Sequence, residues 1–198
     1  MKTKQQKNLN TVFERLHGIF TNSSFQRCEG LNGEIPFFVQ TYTASQQIEA
    51  AKQIAHLIKR LSVQGVRVLE INLYKICIEL LEKEDVLQNA LEVEQEMSKI
   101  DFQEAFNGVL DIQDELIPYI KDKMQSNDFD LIFLDGVGEA YPLIRSHNML
   151  NNLHAVVKTK PLILFFPGEY DSFSLHLFGV LKNENYYRAF NLDEFKHK

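Results

Sequence analysis

Asp135, Arg145 and His147 stand close together in the chain, around the glycines Gly136 and Gly138. A carboxylate, a guanidinium and an imidazole are side chains that shuttle protons and hold phosphates near neutral pH. The planar fork of Arg145 suits a carboxylate or a phosphate, and it starts a helix just after the glycine-bearing loop. If the three side chains point into one void, they form the site of a nucleotide- or nucleic-acid-responsive enzyme. The competing reading is an internal ion pair of Arg145 with Asp135, Glu139 or Glu169, the loop being filled by side chains. His147 and His154 are seven apart and fit one helix face, so with Asp135 or Glu169 they offer metal ligands. Two solvent-exposed histidines are the simpler account.

Complete catalytic signatures are missing. The apolar strand ending in Asp135 resembles a Walker B strand, but a phosphate loop needs GxxxxGK[ST] so that backbone amides and a lysine hold the phosphates. None of the nine glycines is followed by lysine. The dinucleotide fingerprint needs a third glycine at 141, where Tyr141 stands. No HExxH or GxSxG occurs, and Cys28 and Cys77 are isolated, without a CxxC. No cofactor or resident metal is therefore expected, and an ATPase-like plan would be a non-catalytic one.

The elements that position these residues are legible from periodicity. Leu131–Leu134 and Pro161–Phe166 are unbroken apolar runs, which suit strands of a parallel sheet buried on both faces. Between them Ile144, Met149, Leu150, Leu153, Val156 and Val157 recur at helical spacing and predict a crossover helix. Its other face carries Arg145, His147, Asn148, Asn151, Asn152 and His154, either solvated or a recognition surface. Each strand runs into loop material at the carboxyl end, where open α/β sheets bind ligands: Asp135 to Glu139, then Pro167, Gly168, Glu169, Tyr170 and Asp171. Tight turns are the alternative use of those glycines.

Earlier in the chain, residues 1–8 are expected to fray, and Leu9–Phe20 has the spacing of an amphipathic helix. Ile35–Tyr42 reads as a buried strand, and Ser45–Leu61 as a helix with Ser45 as its N-cap. Gly65 closes the following turn, and Val66–Leu73 is a strand, which makes a βαβ unit. An acidic helical insertion over about 74–127 follows, with Pro118 kinking or breaking it, expected to pack against the end of the sheet. Asp171–Leu181 reads as helix or irregular backbone, and Tyr186–Leu192 as a last strand. Arg188 has the same ambiguity as Arg145, and Tyr170, Tyr186 and Tyr187 are core aromatics or interface anchors. The expected fold is an open α/β domain spanning 1–198, with a mainly parallel sheet of about five strands flanked by helices, P-loop-like or Rossmann-like but degenerate.

Composition sets outer limits. A 198-residue chain with 44% hydrophobic and 24% charged residues fits one globular domain. No apolar run approaches the roughly 20 residues of a membrane span, and the basic start MKTKQQKNLN has no apolar core of a secretory signal. The cytoplasm is the expected compartment, with both cysteines reduced. Net charge is −6, yet Glu79–Glu115 alone carries −10, leaving +4 for the remainder. Direct duplex-DNA binding is not expected of such a chain, since it needs clustered lysine and arginine. The acidic block is a solvated helical face or a dock for a basic partner.

The runs GVGEAYPLIRSHNMLNNL, PLILFFPGEYDSFSLHLFG and NYYRAFNL are similar to the BrxB family of bacteriophage-exclusion (BREX) defence systems. Near the front, GLNGEIPFFVQTY resembles the family's Gly-Leu-x-Asn-Glu-x-Pro-Phe segment, with Gly33 where an asparagine is common. The resemblance runs from about Phe25 to Leu192, and because members are about this length, a whole protein is expected. It implies a non-catalytic component, a scaffold or adaptor, of a phage-defence complex. The implied partners are a PglZ-type protein and, second to it, a BrxC-type ATPase of the same system. The contact surfaces it suggests are the helix face from Arg145 to His154 and the acidic helices. Self-association into a dimer is a further option that the apolar helices allow.

Overall fold

The computed structural model describes residues 7–31, 33–93, 98, 101, 106, 108–182 and 188–195. Part of the acidic block (Glu94, Glu96, Glu104), together with Tyr186 and Tyr187, lies outside the described residues.

Three runs of apolar and aromatic residues form the middle of the sheet: β1 (Phe37–Tyr42), β3 (Leu131–Asp135) and β4 (Leu162–Tyr170). β2 (Val68–Asn72) and β7 (Phe190–Asn191) flank them, giving a parallel order β2-β3-β4-β1-β7. Side chains alternate across this sheet as strand geometry requires. Phe38, Phe133, Ile163 and Phe165 enter the core on one face; Phe37, Ile132, Leu134, Leu162, Leu164 and Phe166 enter the core on the other.

The first face is covered by α1 (Leu9–Phe20), α2 (Ser23–Gln26) and α3 (Gln47–Val63). Asn8 starts α1 by accepting from the Thr11 N–H at 3.3 Å, and α1 buries Leu9, Phe13, Leu16, Ile19 and Phe20. The second face is covered by α4 (Leu73–Lys83), α5 (Val86–Val93), a π-helical turn at Ile112–Leu116, α6 (Ile117–Gln125), α7 (Val137–Ala140) and α8 (Ser146–Val156). The acidic insertion therefore joins the helical layer on that face instead of capping the end of the sheet. Its apolar stripe (Ile76, Cys77, Leu80, Leu116, Ile120) is buried, while its described acids are exposed. Pro118 falls in the first turn of α6, directly after the π-helical turn, and does not end the helical run. The chain crosses from β1 to β2 over one face and returns through β3 to β4 over the other, as crossovers of a single hand must.

Three local expectations are corrected. Asp171–Leu181 is no helix, and its irregular backbone is interrupted by short strands: β5 (Leu175–Leu177) pairs antiparallel with the end of β4, and β6 (Leu181–Lys182) with β5. Gly168 permits this, because a Cβ there would lie 2.1 Å from the His176 carbonyl oxygen. Ser45 does not cap α3; it lies in a 3₁₀ turn, Ala44–Gln46, and the helix begins at Gln47. Lys7 and Asn8 are not frayed, since Lys7 Nζ donates to Thr41 O at 3.0 Å and pairs with Asp193. Among the described residues, no helix is long and apolar enough to cross a membrane.

Phe133 is fully buried, 5.4 Å from the Phe20 ring and 5.1 Å from that of Phe165, whereas Phe173 is 60% exposed. Phe133→Ala is expected to lower the unfolding free energy by about 3–5 kcal/mol, from lost transfer and the cavity left behind. Phe173→Ala is expected to stay within about 0.5 kcal/mol of wild type. Urea unfolding of the two variants measures the contrast, and equal losses would contradict this core.

Candidate functional site

β3 ends on Asp135, in register with Asn72 at the end of β2. The Asn72 side chain caps α4 by accepting from the Lys75 N–H at 2.9 Å. The next residue, Gly136, takes φ +73° and opens α7; a Cβ there would sit 2.5 Å from Asn72 Oδ1. Of the two uses open to these glycines, ligand approach and a tight turn, the structure has a tight turn and a short helix at Gly136 and Gly138. Gly138 lies inside that helix, where a Cβ would meet Pro167 Cγ at 2.9 Å.

This packing leaves Asp135 only 7% exposed, with its Oδ1 fully buried and lacking a hydrogen-bond partner among the described residues. Burial pushes its carboxyl up to about 7, and Glu70 and Glu139 push the same way, against Asn72 and Lys75. At the end of β1, burial likewise raises the Tyr42 phenol above its ordinary value, with Glu139 and Asp135 adding to it. These groups can hold a proton near neutral pH. Among the described residues, no three His, Cys, Asp or Glu gather as metal ligands.

A separate cleft of about 330 Å³ opens at the carboxyl ends of β1, β4 and β7. Here β1 leaves toward one edge of the sheet and its neighbour β4 toward the other, which is where open α/β sheets form their crevice. Glu169 and Tyr170 line it together with Lys7, Tyr42, Phe178 and Asp193. Asp193 ties the two ends of the described chain together: it receives hydrogen bonds from Lys7, Arg15 Nη2 (3.2 Å) and Gln40 Nε2 (3.0 Å). Burial alone would raise its carboxyl, and these partners hold it below the usual range. Tyr170 is half-buried, its hydroxyl donating to Ala189 O at 2.9 Å and accepting from Ala189 N–H at 3.0 Å.

The other expected residues are dispersed. Arg145 is the N-cap residue of α8, exposed, and forms no ion pair with a described residue, so it meets neither the buried Asp135 nor Glu169. His147 lies in the first turn of α8. Asn148 and Asn151 are exposed, and Asn152 Nδ2 donates to Asn148 O at 2.8 Å. Arg188 is exposed and pairs with Glu34. Asp135 and Arg145 thus do not converge, and the site grouping read from their spacing separates into a buried carboxyl and an exposed helix start.

Sequence reasoning missed Lys7, Thr41, Phe178 and Asp193. One signal existed, Gln40, a polar residue inside an apolar strand and only 1% exposed. It also missed an apolar surface: Phe173, Phe178, Val180 and Leu181, all exposed on the β5–β6 extension, with the Tyr141 ring 6.3 Å from that of Phe178.

A family model described as "BREX protein BrxB" matches residues 69–192, more than half of the chain. The chain belongs to the BrxB family. A "BREX protein BrxB" of Bacillus cereus (strain H3081.97) is 38% identical over 188 residues, covering 91% of this chain and 97% of that relative. One of Escherichia coli O9:H4 (strain HS) is 26% identical over 168 residues, covering 85% and 83%. No solved structure matches the chain significantly. Both the BrxB resemblance and the parallel α/β sheet expected from the sequence are therefore borne out.

In this BrxB-family chain the buried carboxyl of Asp135 has a measurable consequence. Its pKa is raised from an ordinary 3.8 to about 7, so between those values the folded state keeps a proton that the unfolded chain releases. Its contribution to stability falls as pH rises through that interval, by on the order of 4 kcal/mol, and levels off above about pH 7. Asp135→Asn is expected to match wild type near pH 4 and to exceed it in stability at pH 8. Denaturant titrations at the two pH values measure this, and parallel curves would refute it.

Proposed function

We propose that this chain is a non-catalytic component of a BREX phage-defence complex, a scaffold that works by binding other proteins of that system in the cytoplasm. Its membership of the BrxB family supports the setting, and the lack of any complete catalytic signature supports the scaffold role. The observation that carries it is the apolar surface on the β5–β6 extension. Val180 is 67% exposed and Phe173 60%, on the segment whose Phe178 ring lies 6.3 Å from that of Tyr141. Large aromatic and aliphatic groups clustered in water mark surfaces that a partner covers.

Phe178 strengthens the reading. It holds φ +57°, a left-handed backbone conformation that a bulky side chain adopts only at a cost. The fold keeps an aromatic at this turn where glycine or asparagine would be easier, as surfaces shaped for binding do. The exposed Arg145, Asn148 and Asn151 on α8 supply a polar surface for the same role. The resemblance points to the PglZ-type protein as the first partner and a BrxC-type ATPase as the second. The enzyme reading is weaker, because Asp135 is buried while Arg145 points its charge to solvent.

Light-scattering chromatography of the chain, alone and mixed with its PglZ-type neighbour, tests this. A mixed species is expected at micromolar concentration. Phe173→Asp with Val180→Asp is expected to weaken it at least tenfold, and Arg145→Ala by less. No mixed species at that concentration would remove the direct contact.

A further inference from the structure

We propose that two copies of this chain pair through α6, the acidic start of one helix seating on a lysine-rimmed apolar groove at the end of the other. The inference goes beyond the scaffold reading and does not rest on it.

The groove lies between the carboxyl ends of α6 and α8, has a volume of about 460 Å³ and opens to solvent. Its floor is the half-buried Met124, Phe129 and Val156, which pack on the core beneath them. Lys121 and Lys158 stand on its rim, both exposed and neither in an ion pair with a described residue. The neighbouring cations are already engaged. Lys123 pairs with Glu79 at 3.3 Å, Arg67 with Asp130 at 2.9 Å, and Lys160 lies 3.9 Å from Asp130. Two unpaired ammonium groups beside an apolar floor suit an acidic segment that also carries an apolar residue.

Such a segment stands at the other end of the same helix. The π-helical turn Ile112–Leu116 brings Asp114 and Glu115 to the start of α6, exposed and in no ion pair with a described residue. Asp111 precedes them, and its carboxylate is used in capping that turn, accepting from the Gln113 and Asp114 N–H groups at 2.8 Å. Pro118, exposed in the first turn of α6, supplies the apolar residue. The helix dipole favours this order of charge within each copy, acids first and lysines last. Two such helices laid antiparallel then set opposite charges together.

The geometry fits a closed pair. α6 has nine residues and is about 14 Å long, so a two-fold axis across its middle carries the start of one helix onto the groove of the other. Its outer residues Pro118, Lys121, Asp122 and Gln125 are exposed, leaving room for that approach. A two-fold interface must be self-complementary, and here each acid-to-groove contact occurs twice. Asp122 lies mid-stripe, where the axis sets it beside Lys121 of the other copy. The net charge of −6 on each copy acts at longer range and is screened beyond about 8 Å at physiological ionic strength. A second copy is the favoured occupant because this chain itself carries the complementary surface, on the same helix.

Sedimentation velocity of the full chain at physiological ionic strength, taken to submillimolar concentration, tests the pairing. Wild type is expected to move from monomer toward dimer as concentration rises. Lys121→Glu with Lys158→Glu sets acid against acid, and Asp114→Lys with Glu115→Lys sets lysine against lysine. Each double variant is expected to weaken self-association roughly tenfold or more. An equimolar mixture of the two is expected to dimerise about as tightly as wild type, since one contact is native and the other has both charges reversed. Recovery in the mixture cannot come from misfolded chains. A wild type that stays monomeric, double variants that dimerise like wild type, or a mixture that stays monomeric would overturn the proposal. If wild type is monomeric and Lys121→Glu with Lys158→Glu instead weakens the mixed species with the PglZ-type protein, the groove belongs to that partner and the pairing falls while the scaffold reading stands.

Discussion

The pairing of β1 with β4 is the contact on which the rest of the molecule depends. Six residues of each strand run in parallel register, from Phe37 beside Leu162 to Tyr42 beside Pro167. Two central strands joined by crossovers have no wet face, so their side chains need apolar company or, for Gln40 and Thr41, polar partners. That demand recruits α1 and α3 to one face and the acidic helices to the other. It also fixes where the polar ends of the strands emerge, and hence where the cleft opens.

Two kinds of polar chemistry survive at that edge, and they differ in physical character. Asp135 is enclosed by the turn that Gly136 allows and by the Asn72 cap, so its charge is suppressed by burial. Asp193 is also half enclosed, but two cations and an amide keep it ionised. The first is a reservoir of instability at alkaline pH; the second is a clamp joining Lys7 and α1 to the last strand. A clamp that closes one wall of a cleft, next to an exposed aromatic, is the arrangement expected of a surface made to be filled.

Much of the fold was legible before any coordinates. Leu9–Phe20 is the helix its spacing demands, Leu131–Asp135 the buried strand its apolar run demands, and Gly65 the left-handed turn after α3. The end of β4 was not legible. Asp171–Leu181 is apolar at irregular intervals, and nothing local says that Gly168 will admit the His176 carbonyl and turn the segment into an antiparallel pair. The Gly136–Gly138 stretch misled for a related reason: glycine announces unusual backbone but not whether a ligand or a neighbouring side chain occupies the space. Here Asn72 and Pro167 occupy it.

The sequence by itself determined the elements, the parallel sheet and the family, because these follow from short-range periodicity and from runs of residues that stay together along the chain. Only the tertiary structure decided the strand order, the suppression of Asp135's charge, the separation of Arg145 from it, and the cleft. Each of these depends on residues far apart in the chain. Lys7 meets Asp193 across 186 positions, and Phe178 comes to rest against the helix of Gly138. Burial and charge pairing act through space, so a carboxyl's surroundings take shape only when the folded core sets its neighbours in place.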